Sequence, residues 1–313
     1  MKKILLILLL LFILPSPLYA QSSFVGNINN SNSSKEGASV GGITVSPILT
    51  DVNINKGQSL VQDITVYNNS NSAVNVSAIF ANFVSANEFG QPKFEKVFVG
   101  NINDPDLSLS TNGNTLIPPH VPTDLSINIS ASSNALPGEY FIGVFAKINN
   151  GVSQGNVLLN TAVGSLFLVR INGLAKETGY IKSFSANNFF YLSTPVKFQT
   201  QFVDTGNVHL LPQGIIEIYN MFGDKIQTIA FNPQKNIVLP VGVNSRIYNT
   251  TWNSSNLLLG QYTAKLILTY GYNTITTTQS TSTFWVLPLW FIFLLVLLFI
   301  FLLWQIVSRF LKR

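Results

Sequence analysis

Cysteine is missing from the 313-residue chain, which excludes a disulfide framework, a thiolate metal site and a cysteine nucleophile. Charge is scarce: Asp, Glu, Lys and Arg together make 10% of the residues, against about 25% in an ordinary soluble domain. Histidine occurs twice, at His120 and His209, so imidazole chemistry has two places to be. Neutral polar groups take over, with 34 Asn and many Ser, Thr and Gln. The chain is nevertheless no disordered polar tract, because 23 Phe, 10 Tyr and abundant Ile and Val can build a sizeable core.

The net charge of +5 is carried by the two ends. Lys2, Lys3, Arg309, Lys312 and Arg313 account for all of it, and the interval between holds 13 residues of each sign. Nucleic acid is therefore excluded as a partner, since no concentrated basic face exists to neutralise phosphates. Residues 1–20 read as a secretory signal peptide. Lys2 and Lys3 start it, an 11-residue apolar run from Ile4 to Leu14 follows, Pro15 and Pro17 break the run, and Ala20 offers a cleavage site. That run is too short to span a bilayer.

The segment 286–307 is different. It is uncharged over 22 residues, and at 1.5 Å per residue it reaches about 33 Å, enough to cross the hydrocarbon core. Trp285 and Trp290 lie near one end and Trp304 near the other, and Arg309, Lys312 and Arg313 follow at once. This predicts a single transmembrane helix with a basic cytoplasmic tail, 308–313, and the bulk of the chain outside the cell membrane. A sortase signal would need Leu-Pro-x-Thr-Gly; Leu287-Pro288 is followed instead by Leu289-Trp290-Phe291.

Between the termini the texture is β. Residues 21–42, rich in Ser, Asn and Gly, read as a flexible linker. From Ile43 onward short β-type runs alternate with turn residues: 43–49, 62–67, 74–83, 125–129, 140–148 and 158–171, then 180–184, 196–203, 214–219, 225–231, 246–252 and 262–270. The fold class predicted is all-β, two tandem Ig-like β-sandwich domains at 43–172 and 175–284 followed by the C-terminal α-helix. Met221-Phe222-Gly223-Asp224 is predicted to be a hairpin turn. The pair Leu136-Pro137-Gly138-Glu139-Tyr140 and Leu259-Gly260-Gln261-Tyr262 reads as a repeated corner, each Gly turning the chain ahead of a core strand. The two modules are expected to fold semi-independently across 172–179.

Residues 43–49 (Ile-Thr-Val-Ser-Pro-Ile-Leu), the run 57–67, Leu116-Ile117-Pro118-Pro119 and 136–140 together resemble the WxL-interacting, DUF916-type bacterial surface proteins, over roughly residues 43–172. The resemblance implies export, Ig-like domains, a C-terminal membrane helix with a basic tail, and a first domain associated with peptidoglycan. The second module does not match that family's pattern and looks like a generic adhesion module.

Catalytic, cofactor and metal residues are all expected to be none. Asp204 and His209, with Glu217, could form an acid–base cluster, but Asp204-Thr205-Gly206-Asn207 reads as turn chemistry, with Asp capping its own backbone and Gly206-Asn207 in left-handed conformations. Asp104-Pro105-Asp106 offers oxygen ligands for Ca²⁺ yet lacks the alternating ligands, central Gly and terminal Glu of an EF-hand loop. It reads as a solvated turn. His120 lies in a Pro-rich connection. Phe184, Phe189, Phe190 and Tyr191 read as core, with an exposed binding patch as the alternative. Asn-x-Ser/Thr triplets, as at Asn75 and Asn128, arise by chance in so Asn-rich a chain. No nucleophile elbow, His-Glu-x-x-His helix or phosphate loop occurs. The functional expectation is a surface binding protein whose partner is a cell-wall polymer or another surface protein. An extracytoplasmic assembly scaffold, lending a sheet edge to secreted subunits, is the alternative; a hydrolase comes third.

Overall fold

The computed structural model describes residues 38–40, 42–149, 162–254 and 259–311. The signal peptide, the linker up to residue 37, and Lys312 and Arg313 lie outside the described residues.

The described residues are all-β, forming two sandwiches in tandem, with one apolar helix at the C-terminal end. The first is built from β1 (Ala38–Val40), β2 (Ile43–Ser46), β3 (Leu49–Ile54), β4 (Ser59–Asn68), β5 (Val74–Ser85), β6 (Pro92–Val99), β7 (Asn101–Asn103), β8 (Leu107–Thr111), β9 (Thr115–Ile117), β10 (Pro122–Ala131), β11 (Gly138–Ile148) and β12 (Ala162–Ile171). One sheet runs β1, β2, β4, β10, β8, β7; the other runs β3, β12, β11, β5, β6, with β9 also on β5. Neighbours are antiparallel except β3 on β12. Period-two patterning sets which side chains meet. Along β10, Leu125, Ile127 and Ile129 are buried while Ser126 and Asn128 face outward, and they pack with Ile64, Leu109, Phe80, Val144 and Phe167 in one core.

The second sandwich comprises β13 (Gly179–Ala186), β14 (Phe190–Tyr191), β15 (Val196–Asp204), β16 (Gln213–Tyr219), β17 (Lys225–Phe231), β18 (Ser245–Trp252), β19 (Gly260–Tyr270) and β20 (Thr276–Val286). A three-stranded sheet, β13, β15, β18, faces a five-stranded one, β14, β20, β19, β16, β17. Its core is aromatic: Trp252 is fully buried against Tyr262 and Phe284, and its indole N–H donates to Gln227 Oε1 at 2.8 Å. Asn220 closes the β16–β17 turn, its Oδ1 accepting from the amides of Phe222 and Asp224 at 2.9 Å each, with Gly223 at φ +86°.

Where sequence and structure part, the causes are local. The run 43–49 is two strands, because Pro47 interrupts it and the chain crosses there from one sheet to the other. The linker expected to reach residue 42 already holds β1, which pairs Ala38 with Val45 through backbone bonds that need no apolar pattern. β20 escapes apolar patterning because its first eight residues are Thr, Ser, Gln and Ile-free; β-branched Thr suits a half-exposed strand, and the strand pairs with β19 over its whole length. The helix α1 (Leu289–Leu311) begins three residues later than expected, since Val286 remains paired with Gly260. The Pro288 carbonyl accepts the first helical bond, from Phe291 at 2.9 Å. From Leu289 to Arg309 the helix is long and apolar enough to cross a membrane.

Candidate functional site

The two sandwiches meet across the outward face of the β3–β12–β11–β5–β6 sheet. Because Ile142 and Val144 of β11 point into the first core, Glu139 and Phe141 point out of it; by the same alternation β12 turns Leu168 and Arg170 outward. This face has an apolar half and a charged half. In the apolar half, Phe83, Phe141 and Leu168 pack against Leu239 of the second sandwich. The β5–β6 turn docks beside it: Val243 donates to the Ser85 carbonyl at 2.9 Å, Ile247 to the Glu88 carbonyl at 2.7 Å, and Gln201 to the Glu88 carboxylate.

The charged half is assembled from four distant stretches. Glu139 and Arg170 are cross-strand partners on β11 and β12. Into them comes the segment after β15: His209 offers its backbone N–H to Glu139 Oε2 at 2.6 Å and its Nδ1 to Oε1 at 2.7 Å. Asn207 holds the register, donating to the Pro137 carbonyl at 2.9 Å and accepting from the Glu139 amide at its own carbonyl and from the Lys176 amide at Oδ1. Arg170 lies 4.0 Å from Glu139 and 3.5 Å from Glu177, with the Tyr272 ring 4.9 Å from its guanidinium carbon. Glu177 in turn receives the amides of Tyr272 and Asn273 at 2.7 and 2.8 Å. A cleft lined by Asp51, Asn53, Arg170, Gln213 and Tyr272 opens over the cluster.

Burial and neighbouring charges shift the acids and the base here. Desolvation alone would lower the His209 pKa, but the hydrogen bond and charge of Glu139 outweigh it and the value is raised. Asp51 is pushed up, first by burial and then by Glu139, with His209 and Arg170 pulling the other way. Asp204, fully buried, is pushed up to about 7 by desolvation, against the hydrogen bond from Gly206. The arrangement is a charge-paired seam: Glu139, Arg170, Glu177 and His209 are committed to one another. It can hold two domains in one orientation and sense protonation; on the cleft wall the Thr269 hydroxyl donates to the Gln213 carbonyl and the Tyr270 hydroxyl to the Gly179 carbonyl.

The residues singled out in sequence fall in separate places. His209 bonds Glu139 rather than Asp204. Asp204 caps its own turn, accepting from the Gly206 amide at 2.8 Å, as turn chemistry predicts. Gly206 and Asn207, however, are not left-handed; glycine is needed at 206 because a Cβ there would lie 2.1 Å from the Lys176 carbonyl oxygen. Glu217 is elsewhere on β16, bound to Tyr219 and Lys225. At the Asp104–Asp106 turn both Asp106 oxygens are taken, by the Leu136 amide at 3.1 Å and the Tyr140 hydroxyl at 2.7 Å. Among the described residues no group of three or more His, Asp or Glu is placed to hold a metal. His120 sits at φ 57° with Nε2 3.2 Å from Asn71 Oδ1. Phe184 and Tyr191 are core, whereas Phe189 and Phe190 are exposed. The corner echo also divides: Gly138 lies against Asn207 at the seam, and Gly260, at φ +147°, lies against Met221. Sequence patterns mark Glu139 only as part of a corner and single out neither Arg170 nor Glu177. One signal was available, a lone Arg170 inside the apolar run of β12, where a charge needs a partner.

No protein-family profile matches the chain, and no curated protein matches it. Among solved structures it is similar to the class 5 fimbriae chaperone CfaA, with 13% identity, 79% of this chain and 100% of that one covered, and a TM-score of 0.38. The E. coli chaperone DraB gives 15% identity, coverage of 78% and 96%, and a TM-score of 0.34. A protein of unknown function from Porphyromonas gingivalis gives 12%, 77% and 99%, and 0.29. Likeness at this level carries no function to this chain.

Proposed function

We propose that the protein is a single-pass, membrane-anchored binding protein that holds a protein partner along an open sheet edge outside the cell membrane. The anchor reading is supported by α1, whose side chains are exposed on every face, and by the basic residues after it, which favour a cytoplasmic C-terminus. The observation that carries the binding reading is β6. It is the terminal strand of its sheet, eight residues long and paired on one side to β5, and Val97 and Val99 on its outer face are 59% and 77% exposed. Lys93, Glu95 and Lys96 interrupt the apolar positions, which limits self-association of the edge. An extended segment of a partner can add here by backbone hydrogen bonds, with its own alternate side chains against the valines.

A photo-crosslinking residue at Val97 in living cells tests this, with the same probe at Asn112 as the reference. Discrete protein adducts at Val97, lost when Lys96 is replaced by Pro, are expected. A muramidase-sensitive ladder would instead assign the chain to wall polymer, the ligand implied by the resemblance to WxL-interacting proteins.

A further inference from the structure

The end of the second sandwich from which α1 departs differs from the end at the seam. β20 ends at Val286 and α1 starts at Leu289, so only two residues separate the sandwich from the helix and the gap is about 11 Å at most. Two other segments are fixed at that same end. The first is the loop through β14: Phe190 and Tyr191 pair with Trp285 and Val286, the Phe189 carbonyl accepts from Trp285 at 2.8 Å, and the Tyr191 carbonyl accepts from Leu287 at 2.8 Å. The second is the β16–β17 turn, where Met221 packs on Gly260, itself the register partner of Val286. Both segments present large apolar side chains outward. Phe189 and Phe190 are each 56% exposed, edge to face at 4.7 Å, and Phe222 is 76% exposed; Leu192 and Met221 are exposed beside them. Lys197 and Lys225 flank this rim, as does Asp224.

Such side chains, gathered on one end of a domain whose core is already filled, need a covering phase. What covers them is indicated by continuity: the helix that leaves this end is apolar on all sides and begins with exposed Leu289 and Trp290. We infer that Phe189, Phe190, Leu192, Met221 and Phe222 form a lipid-docking rim, seated in the interfacial layer of the bilayer that α1 enters, so that the second sandwich stands on the membrane instead of swinging from it. This rests on the reading of α1 as a membrane span. Aromatic rings suit that layer, and an exposed lysine such as Lys197 can extend toward headgroups, whereas Lys225 is held by Glu217 at 3.1 Å. The rim also fixes the height of the seam. β19 runs from Gly260 at the rim to Tyr270 at the cleft, roughly 33 Å away.

The natural absence of cysteine makes the test direct. Single changes Phe190→Cys, Phe222→Cys, Gln234→Cys and Val296→Cys, each carrying an environment-sensitive fluorophore, are placed in the full chain reconstituted in phosphatidylcholine–phosphatidylglycerol vesicles. Gln234 is an exposed position in the turn after β17, whose last strand residue Phe231 pairs at the seam end. Expected are quenching of the labels at 190 and 222 by headgroup-proximal spin-labelled lipid, several-fold above the label at 234, and quenching at 296 by a deep spin label. Labels at 190 and 222 as open to aqueous iodide as the one at 234, with 296 still quenched by deep lipid, overturn the rim while leaving the anchor in place. Loss of lipid quenching at 296 as well overturns the anchor reading and the rim with it. Because a fluorophore adds its own affinity for lipid, the label at 222 is repeated with Phe189 and Phe190 both changed to Ser; the rim requires its quenching to fall by at least half.

Discussion

His209 and Glu139 belong to different sandwiches, 70 residues apart in sequence, and their side chains meet at 2.7 Å in the seam. The ring is nearly enclosed, so two influences of opposite sign act on it, and the carboxylate prevails. A histidine whose folded pKa lies above its unfolded value of 6.5 contributes stability that is fully present below pH 6.5 and is lost as pH rises through the folded pKa. With two histidines in the chain, imidazole NMR resonances assign readily. His209 is expected to titrate above 6.5, and Glu139→Gln to bring it below the wild-type value, since burial and the Arg170 charge then oppose only the weaker pull of Asp51. A titration untouched by Glu139→Gln would show that the pair does not form in solution.

Asp204 moves stability in the same direction for a different reason. Its pKa rises from 3.8 to about 7 on folding, chiefly by desolvation. Between those values the unfolded chain ionises and the folded chain does not, so stability declines as pH rises and levels off beyond about 7. Asp204→Asn keeps the Oδ1 acceptor used by Gly206 and removes the charge. The variant is expected to match wild type near pH 4 and to exceed it at pH 8, by about 2–4 kcal/mol. Denaturant titrations at the two pH values measure the difference; an offset independent of pH contradicts the shifted carboxyl.

Asn68, the last residue of β4, holds the turn that follows the strand. The side chain is fully buried; Nδ2 donates to the carbonyls of Ser72 and Ile117 at 2.8 and 3.1 Å, and Oδ1 accepts from the Ser70 amide and hydroxyl. Asn68→Ala strands those groups without replacing them, at a cost of about 1–3 kcal/mol. Asn68→Asp loses the two donors and is expected to cost at least as much. Stability within 0.5 kcal/mol of wild type, roughly the noise of surface substitutions, would mean that water takes over the bonds.

The strands that the sequence discloses are those with one face in a core, because burial imposes the period-two pattern: β10 and β16 read directly from Leu125, Ile127, Ile129 and from Ile216, Ile218. β6 and β20 carry no such signature, one being an exposed edge and the other mostly Thr and Ser facing water. The seam is harder still. In the sequence Glu139 appears only as part of the corner at 136–140, and nothing adjacent to Arg170, Glu177 or His209 marks them as partners of one another, since what joins them is long-range packing of two sandwiches. His209 stands out in the sequence by its rarity, and its neighbour Asp204 reads there as a turn cap, which it is; the carboxylate that holds the ring, Glu139, lies 70 residues away in sequence.

The extent of the seam bears on cooperativity. Semi-independent modules were expected from the short connection at 172–179, yet contact is broad: the Ser85–Glu88 turn docks on Val243 and Ile247, and Pro137–Glu139 docks on Asn207 and His209. Interfaces of this breadth couple unfolding, so the wild-type chain in detergent micelles is expected to show one calorimetric transition for both sandwiches. Gly206→Ala forces a methyl to within 2.1 Å of the Lys176 carbonyl unless the connection shifts, and a backbone neighbour cannot rotate away. The change is therefore expected to open the seam and split the transition in two. Gly260→Val is the contrast. There the conflict is with the flexible end of Met221 and with a φ of +147°, both inside the second sandwich and far from the seam. It is expected to lower the single transition by a strain on the order of 1–3 kcal/mol without dividing it. Two transitions already present in wild type, and unmoved by Gly206→Ala, would show that the contacts at Asn207 and Ser85 are too weak to couple the domains.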